Sequence, residues 1–231
     1  MDKELGKRMA AEEAAKHVED GMTLGIGTGS TAAHFIAILK DRIAGGWTLR
    51  GVPTSEETKR LAMSAGVEII EPDETTVLDL AVDGADEADP DLNLIKGGGA
   101  ALLREKIVAA AAKRFIVIAD KSKRVAHLGA FPLPVEIEPF GWGLTVARIR
   151  ETLAIHGFEK PQLTLRSTPQ GAVMTDGGNY VLDCALGRID APASVNDALN
   201  ALPGVVETGL FCAMTDLAIF GDETGVTIDK A

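Results

Sequence analysis

Asp83-Gly84-Ala85-Asp86 and Lys96-Gly97-Gly98-Gly99, with Glu105 six residues further on, are the segments whose residue types and spacing suit chemistry. They bring three carboxylates and one ammonium into about 23 residues, next to backbone that glycine frees to bend. Proton transfer from carbon through an anionic intermediate needs this set: a carboxylate base, and positive charge with N–H groups for the oxygen. Three consecutive glycines are entropically costly, which points to close approach of the backbone to a ligand. Taken alone, Asp83 or Asp86 would be a cap or loop carboxylate, and Glu105 an ordinary residue near a helix start. Their candidacy comes from the company they keep.

A second set of residues suits phosphate. Gly25-Ile26-Gly27-Thr28-Gly29-Ser30-Thr31 lies between a strand pattern and a helix pattern, where free N–H groups face an incoming anion. Gly27-x-Gly29-x-x-Ala32 nearly matches a dinucleotide fingerprint. The next strand, however, ends Val52-Pro53-Thr54-Ser55, without the acid that would hold a ribose hydroxyl. No Gly-Lys-Ser/Thr of a P-loop follows either. Thr28, Ser30 and Thr31 supply hydroxyls suited to a terminal phosphate, and a merely tight turn is the alternative. Asp120-Lys121-Ser122-Lys123 follows another apolar strand, and one of its lysines is within range of a role at the same edge; solvated loop lysines are the alternative.

Other chemistries find no support. Counted from Asp89, the sixth position of a calcium loop is Leu94 instead of glycine, and the twelfth is Ala100 instead of glutamate. His17, His34, His127 and His156 lack metal-ligand spacing, so no metal is expected. Cys184 and Cys212 form no CxxC pair and read as reduced packing residues of a cytoplasmic protein. No Gly-x-Ser-x-Gly elbow is present. A net charge of −11 and only 4% aromatic residues oppose a nucleic-acid partner. No apolar run reaches the length of a membrane span, and the charged start is not a signal peptide.

The elements that must position these residues follow a βαβ rhythm. Helix patterns cover 3–19, 31–43, 54–65 and 100–113, and strand patterns cover 22–26, 47–52, 67–70, 77–83 and 115–119. Thr54 or Ser55 opens the third helix, with Glu57 placed for a capping box. The expected fold class is α/β: a Rossmann-like, mainly parallel sheet with helices on both faces, plus a smaller α+β subdomain. Phe131-Pro132-Leu133-Pro134 breaks the rhythm. Beyond it come a strand from 135, a helix near 141–156, hairpin-like strands at 162–166, 172–175 and 180–184, and a helix near 194–201. Asp176-Gly177-Gly178-Asn179 forms the turn between the last two of those strands. Residues 1–130 with 207–231 are expected to form the catalytic domain and 131–206 the subdomain. Tail strands at 216–220 and 225–228 return to the first sheet.

Gly27-Thr28-Gly29-Ser30-Thr31-Ala32-Ala33, Asp83-Gly84-Ala85-Asp86-Glu87, Lys96-Gly97-Gly98-Gly99-Ala100-Ala101 and Arg104-Glu105-Lys106, in this order, resemble the type A ribose-5-phosphate isomerases. The resemblance extends over nearly the whole chain, including Asp120-Lys121-Ser122-Lys123 and Thr208-Gly209-Leu210-Phe211. Two stretches depart from it: 9–16 lacks a Gly-Trp pair, and 211–216 lacks an Asn-Arg pair. The resemblance implies interconversion of ribose 5-phosphate and ribulose 5-phosphate through an enediolate, with no metal or organic cofactor. It gives Glu105 the role of base and Lys96, with Gly97, Gly98 and Gly99, that of oxyanion stabiliser. Asp83 and Asp86, beside Gly84 and Ala85, would bind sugar hydroxyls, with Asp86 assisting ring opening. Thr28, Gly29, Ser30, Thr31, Lys123 and Lys7 would hold the substrate. It further implies a small-molecule sugar phosphate as partner and a homodimer or homotetramer in the cytoplasm. Sugar-phosphate deaminases and coenzyme A transferases share the architecture, and a non-catalytic sugar-phosphate sensor is a rival of a different class, but nothing in the chain suggests a pantetheine or nucleotide site or a DNA-binding segment. A carboxylate is a weak base near neutral pH, so partial desolvation of Glu105 is expected.

Overall fold

The computed structural model describes residues 2–231, and its internal contacts divide the chain into two units. The first holds the chain up to Ala85, Arg104–Arg124 and Ala213–Ala231; the second holds Asp86–Leu103 and Val125–Cys212. No helix among the described residues is long and apolar enough to cross a membrane.

The first unit is built on a seven-stranded sheet. Its spatial order is Gly225–Lys230, Leu217–Asp222, Phe115–Asp120, Leu80–Asp83, Thr23–Ile26, Arg50–Pro53 and Glu68–Ile69. All neighbours pair parallel except the edge strand Gly225–Lys230, and the tail returns to this sheet as expected. The central strands are short apolar runs buried from end to end, as a sheet covered on both faces requires. Leu24, Ile26, Leu80, Val82, Ile116, Ile118, Leu217 and Ile219 alternate onto one face. There they meet Ala10, Ala11 and Ala14 of helix Lys3–Ala15 and Phe35, Ile36 and Leu39 of helix Ser30–Ala44. On the other face a Cβ at Gly25 would lie 2.3 Å from Val108, so helix Leu102–Ala111 presses onto the sheet at a residue without a side chain. Helix Glu56–Ser64 is capped by Ser55, whose side chain accepts from Thr58 N. The third helical residue is therefore Thr58, and Glu57 is not a capping-box partner, because the helix opens one residue later than Thr54 would have opened it.

The amino ends of the strands carry a different kind of acid. Asp79 accepts from Thr23 N at 3.0 Å and from Lys113 Nζ at 2.8 Å, and Asp216 accepts from Phe115 N at 2.7 Å. These carboxylates satisfy strand-start N–H groups that no neighbouring strand reaches. The Lys113 ammonium, then the Thr23 N–H, hold the Asp79 carboxyl below its ordinary range. A carboxyl depressed by folding adds stability above its unfolded value, and that contribution is lost as pH falls through the folded value. Asp79→Ala is therefore expected to destabilise the protein by about 1 kcal/mol at pH 7, with a difference that shrinks below about pH 4. Urea titrations of both proteins at pH 7 and in acid measure it; an equal difference at both would remove the carboxylate from the explanation.

The second unit contains a four-stranded antiparallel sheet in the order Val205–Thr208, Leu133–Ile137, Tyr180–Ala185 and Gln162–Leu165. Helices Trp142–Ile155 and Pro192–Asn200 cover one face, where Ile149, Leu153, Val195 and Leu199 pack on Leu133, Val135, Ile137, Leu182 and Cys184. On the other face the buried Glu136 accepts from Thr175 Oγ1 and Asn179 Nδ2, both at 2.9 Å. The turn at Asp176-Gly177-Gly178-Asn179 is present, with Thr175 N on Asn179 O at 2.8 Å. The expected strand at 172–175 is not continuous. Gly171–Ala172 pairs with Ser167–Thr168, and only Met174 bridges to Tyr180.

Sequence patterning gave no sign of a three-stranded sheet made of Leu210–Phe211, Leu94–Ile95 and Glu87–Ala88. Two-residue strands are too short to show a period. Residues 86–103, expected from the sequence in the first domain, pack within the second unit. Glu87 ties it there, accepting from Gly129 N at 2.6 Å and Phe131 N at 2.7 Å.

Candidate active site

In the first unit, neighbouring parallel strands end at candidate residues: Thr23–Ile26 runs into Gly27, Leu80–Asp83 ends at Asp83, and Phe115–Asp120 ends at Asp120. The carboxyl edge of an open α/β sheet is where such folds bind ligands. Asp83 is buried, and its Oδ1 accepts from Gly84 N at 2.7 Å and Thr28 N at 3.1 Å. A Cβ at Gly27 would lie 2.0 Å from that oxygen, so only glycine lets the loop and the carboxylate lie this close. Gly29, at φ +104°, opens helix Ser30–Ala44 with no side-chain cap. Its first N–H groups are available to an anion, beside the exposed Ser30 and half-buried Thr31.

Thr28 sits differently from the sequence expectation. Its N–H goes to Asp83, and its hydroxyl lies in a cluster with Thr54, Ser55 and Thr58 at 2.7, 2.9 and 3.1 Å. Ser55 Oγ donates to Thr58 Oγ1, which donates to Gly27 O, each at 3.0 Å. Thr54, Ser55 and Thr58 join this cluster although no motif in the sequence marks them as site residues. The hydroxyl-rich run after the second strand was their only signal.

Glu105 lies in the first turn of helix Leu102–Ala111 and is 5% exposed, in line with the expected desolvation. The adjacent Arg104 pairs with Glu56 at 3.0 Å. Lys7 is carried to the sheet's carboxyl edge by a backbone crossing. A Cβ at Gly6 would lie 2.4 Å from Gly221 O, and one at Gly221 would lie 2.0 Å from Gly6 O. Lys7 also pairs with Glu4 at 2.5 Å. Lys123 ends the single 3-10 turn Lys121–Lys123, which Asp120 caps through Ser122 N. Of its two lysines, Lys121 donates to Asp222 at 2.6 Å. That bond, with those from Thr224, holds the Asp222 carboxyl well below the usual carboxylate range.

The second unit carries Asp86, Lys96 and the glycine loop. Asp86 Oδ2 accepts from Gly98 N at 2.8 Å, and a Cβ at Gly98 would lie 2.7 Å from Asp86 Oδ1. Lys96 is 2% exposed, with Nζ 5.4 Å from the centre of the Phe211 ring and its N–H on Gly209 O at 2.8 Å. Gly97 takes φ +104°, and Ala100, at φ +58°, closes the turn by donating to Gly97 O at 3.0 Å. Arg166, on which no sequence signal fell, donates to the carbonyls of both Gly97 and Gly98. Lys7, Thr28, Gly29, Ser30, Thr31, Asp83, Gly84, Ala85, Glu105 and Lys123 thus belong to the first unit, and Asp86, Lys96, Gly97, Gly98 and Gly99 to the second. Among the described residues, no group of three or more His, Cys, Asp or Glu is placed to hold a metal ion.

The sequence profile of the family described as ribose 5-phosphate isomerase A (phosphoriboisomerase A) matches residues 50–225. Ribose-5-phosphate isomerase A of Rhodopseudomonas palustris is 53% identical over 223 residues, 96% of each chain. That of Agrobacterium fabrum is 52% identical over 231 residues, the whole of both. A solved D-ribose-5-phosphate isomerase in complex with phospho-erythronic acid superimposes with a TM-score of 0.92 at 42% identity, over the whole of both chains. Ribose 5-phosphate isomerase A of Methanocaldococcus jannaschii gives 0.89 at 40% identity, over 97% of this chain and 98% of that one. Fold and relatives together define an α/β aldose–ketose isomerase. Within that class, the chain belongs to the ribose 5-phosphate isomerase A family.

Proposed function

We propose that this chain interconverts D-ribose 5-phosphate and D-ribulose 5-phosphate through a cis-enediolate, with no metal or organic cofactor. The observation that carries this reading is 52% identity over the entire length to a ribose-5-phosphate isomerase A, in a chain that buries Asp83, Lys96 and Glu105. Glu105 takes the proton from C2 of the open-chain aldose and returns it to C1, while the C2 hydroxyl proton passes to O1. Lys96 and the Gly97 and Gly99 N–H groups offset the negative charge that develops on oxygen between those steps, while the Gly98 N–H holds Asp86. Asp86 serves ring opening, and Asp83 holds sugar hydroxyls and the shape of the Gly27 loop. The start of helix Ser30–Ala44, with Gly29, Ser30 and Thr31, takes the phosphate; Lys7 and Lys123 add positive charge, and Thr28 anchors the loop. The relative bound to phospho-erythronic acid supports this reading, because a planar carboxylate carries charge much as an enediolate does. The resemblance further suggests a homodimer or homotetramer in the cytoplasm.

Ketose formation from ribose 5-phosphate, followed with and without EDTA, tests the proposal. Equal turnover in both is the expected result. Loss in EDTA with recovery on adding a divalent cation would overturn the cofactor-free reading. Binding of the sugar phosphate without turnover would make the protein a sensor.

A further inference from the structure

We infer that Arg166 is a positioning residue for this reaction: it fixes the peptide planes of the glycine loop so that the Gly98 and Gly99 N–H groups project from the side opposite its guanidinium. The inference rests on the function proposed above. It begins with the four-stranded sheet, whose face away from the helices carries the loop. A Cβ at Gly97 would lie 3.2 Å from Pro134 Cβ, and Gly209, which accepts from Lys96 N, donates to Pro134 O at 2.7 Å. Arg166 follows strand Gln162–Leu165 and donates its N–H to Val181 O at 2.8 Å. Asp183 lies opposite Thr164 in register, so alternation puts Asp183 and Arg166 on the same face as diagonal neighbours.

Two edges of the guanidinium are in use. Nε donates to Asp183 Oδ2 at 2.9 Å and Nη2 to Asp183 Oδ1 at 2.5 Å, a fork that fixes the plane of the group. Nη1 donates to Gly97 O at 2.8 Å and to Gly98 O at 3.1 Å. The Arg166 side chain is 17% exposed; Gly97 is buried and Gly98 exposed, so the bond to Gly97 O is the better sheltered of the two.

The consequence follows from peptide geometry. In a planar trans peptide, the carbonyl oxygen and the next residue's N–H point in opposite directions. With Gly97 O on Arg166, the Gly98 N–H must leave the other side, and there it meets Asp86 Oδ2 at 2.8 Å. By the same geometry Gly98 O, held on Arg166, sends the Gly99 N–H to that side. Glycine visits both signs of φ readily, so without the clamp the Gly98–Gly99 peptide loses the bond on its carbonyl, and the Gly97–Gly98 peptide is held only by Asp86 and the Ala100 N–H. A flipped peptide would present a carbonyl dipole where a donor is needed, turning attraction for the enediolate oxygen into repulsion. A cation on the carbonyls also polarises the peptides, which makes their N–H groups stronger donors.

The test uses Arg166→Met, Arg166→Lys and Asp183→Asn in the full chain. Arg166→Met is expected to lower kcat roughly 10- to 100-fold with KM within about threefold, because the loss falls on the transition state. Arg166→Lys should restore only part of kcat, since an ammonium cannot hold a carboxylate in a fork and two carbonyls at once. Asp183→Asn should fall between Arg166→Met and wild type. A kcat per folded molecule equal to wild type in Arg166→Met, or in Asp183→Asn should the first not fold, overturns the inference. So does a raised KM with unchanged kcat. Amide hydrogen exchange at Gly98 reads the clamp without substrate: faster exchange in Arg166→Met supports it, and unchanged exchange overturns it. An inactive wild type with a clamp-dependent Gly98 amide would fault the proposed reaction and not the clamp.

Discussion

Glu105→Gln is expected to lower turnover by about 10²- to 10⁴-fold while leaving affinity for the sugar phosphate within about threefold, since that is the range a positioned general base contributes. Glutamine keeps the size of the side chain and its place in the first turn of helix Leu102–Ala111, so burial and packing change little. What it loses is the ability to accept a proton from carbon. The measurement that separates this from a binding effect is exchange of the C2 hydrogen of ribose 5-phosphate with deuterium oxide, run beside a binding titration. Wild type should wash deuterium into the sugar, and the variant should bind without exchange. Persistent exchange in the variant would move the base to another residue.

Lys96→Met is expected to lower kcat about 10²- to 10³-fold, the range seen when a donor to a developing oxyanion is removed. Methionine retains most of the aliphatic stem and loses the ammonium that lies 5.4 Å from the centre of the Phe211 ring. Because Lys96 is 2% exposed, turnover is read per folded molecule, and kcat should fall without a matching loss of affinity for the sugar phosphate. Turnover near wild type would remove Lys96 from the oxyanion role.

The central sheet is legible in the sequence because its strands are written as unbroken apolar runs. Phe115–Asp120 and Leu217–Asp222 need burial on both faces, and no surface helix shows such a run. The candidate carboxylates, Lys96 and the glycines are legible for a related reason: chemistry and positive φ both restrict residue type. What could not be read depends on partners far away in the chain. Arg166 is 69 residues from the Gly97 carbonyl it holds, and nothing near it in sequence distinguishes it from a surface arginine. Gly6 and Gly221 make sense only once a helix and a strand are seen to cross there. The second unit's short strands depend on three segments meeting, so 86–103 carries no local mark of the unit in which it packs.

The hydroxyls beneath the Gly27 loop form a clasp. Thr28 donates to Ser55, Ser55 to Thr58, and Thr58 to the carbonyl of Gly27, which is joined covalently to Thr28. A carbonyl cannot pass a proton on, so the series runs one way and closes a ring through the start of helix Glu56–Ser64. The curvature of the loop is thus set by the protein's own bonds. A phosphate arriving at the start of helix Ser30–Ala44 would find that curvature already formed, and little of its binding energy would go into ordering the loop.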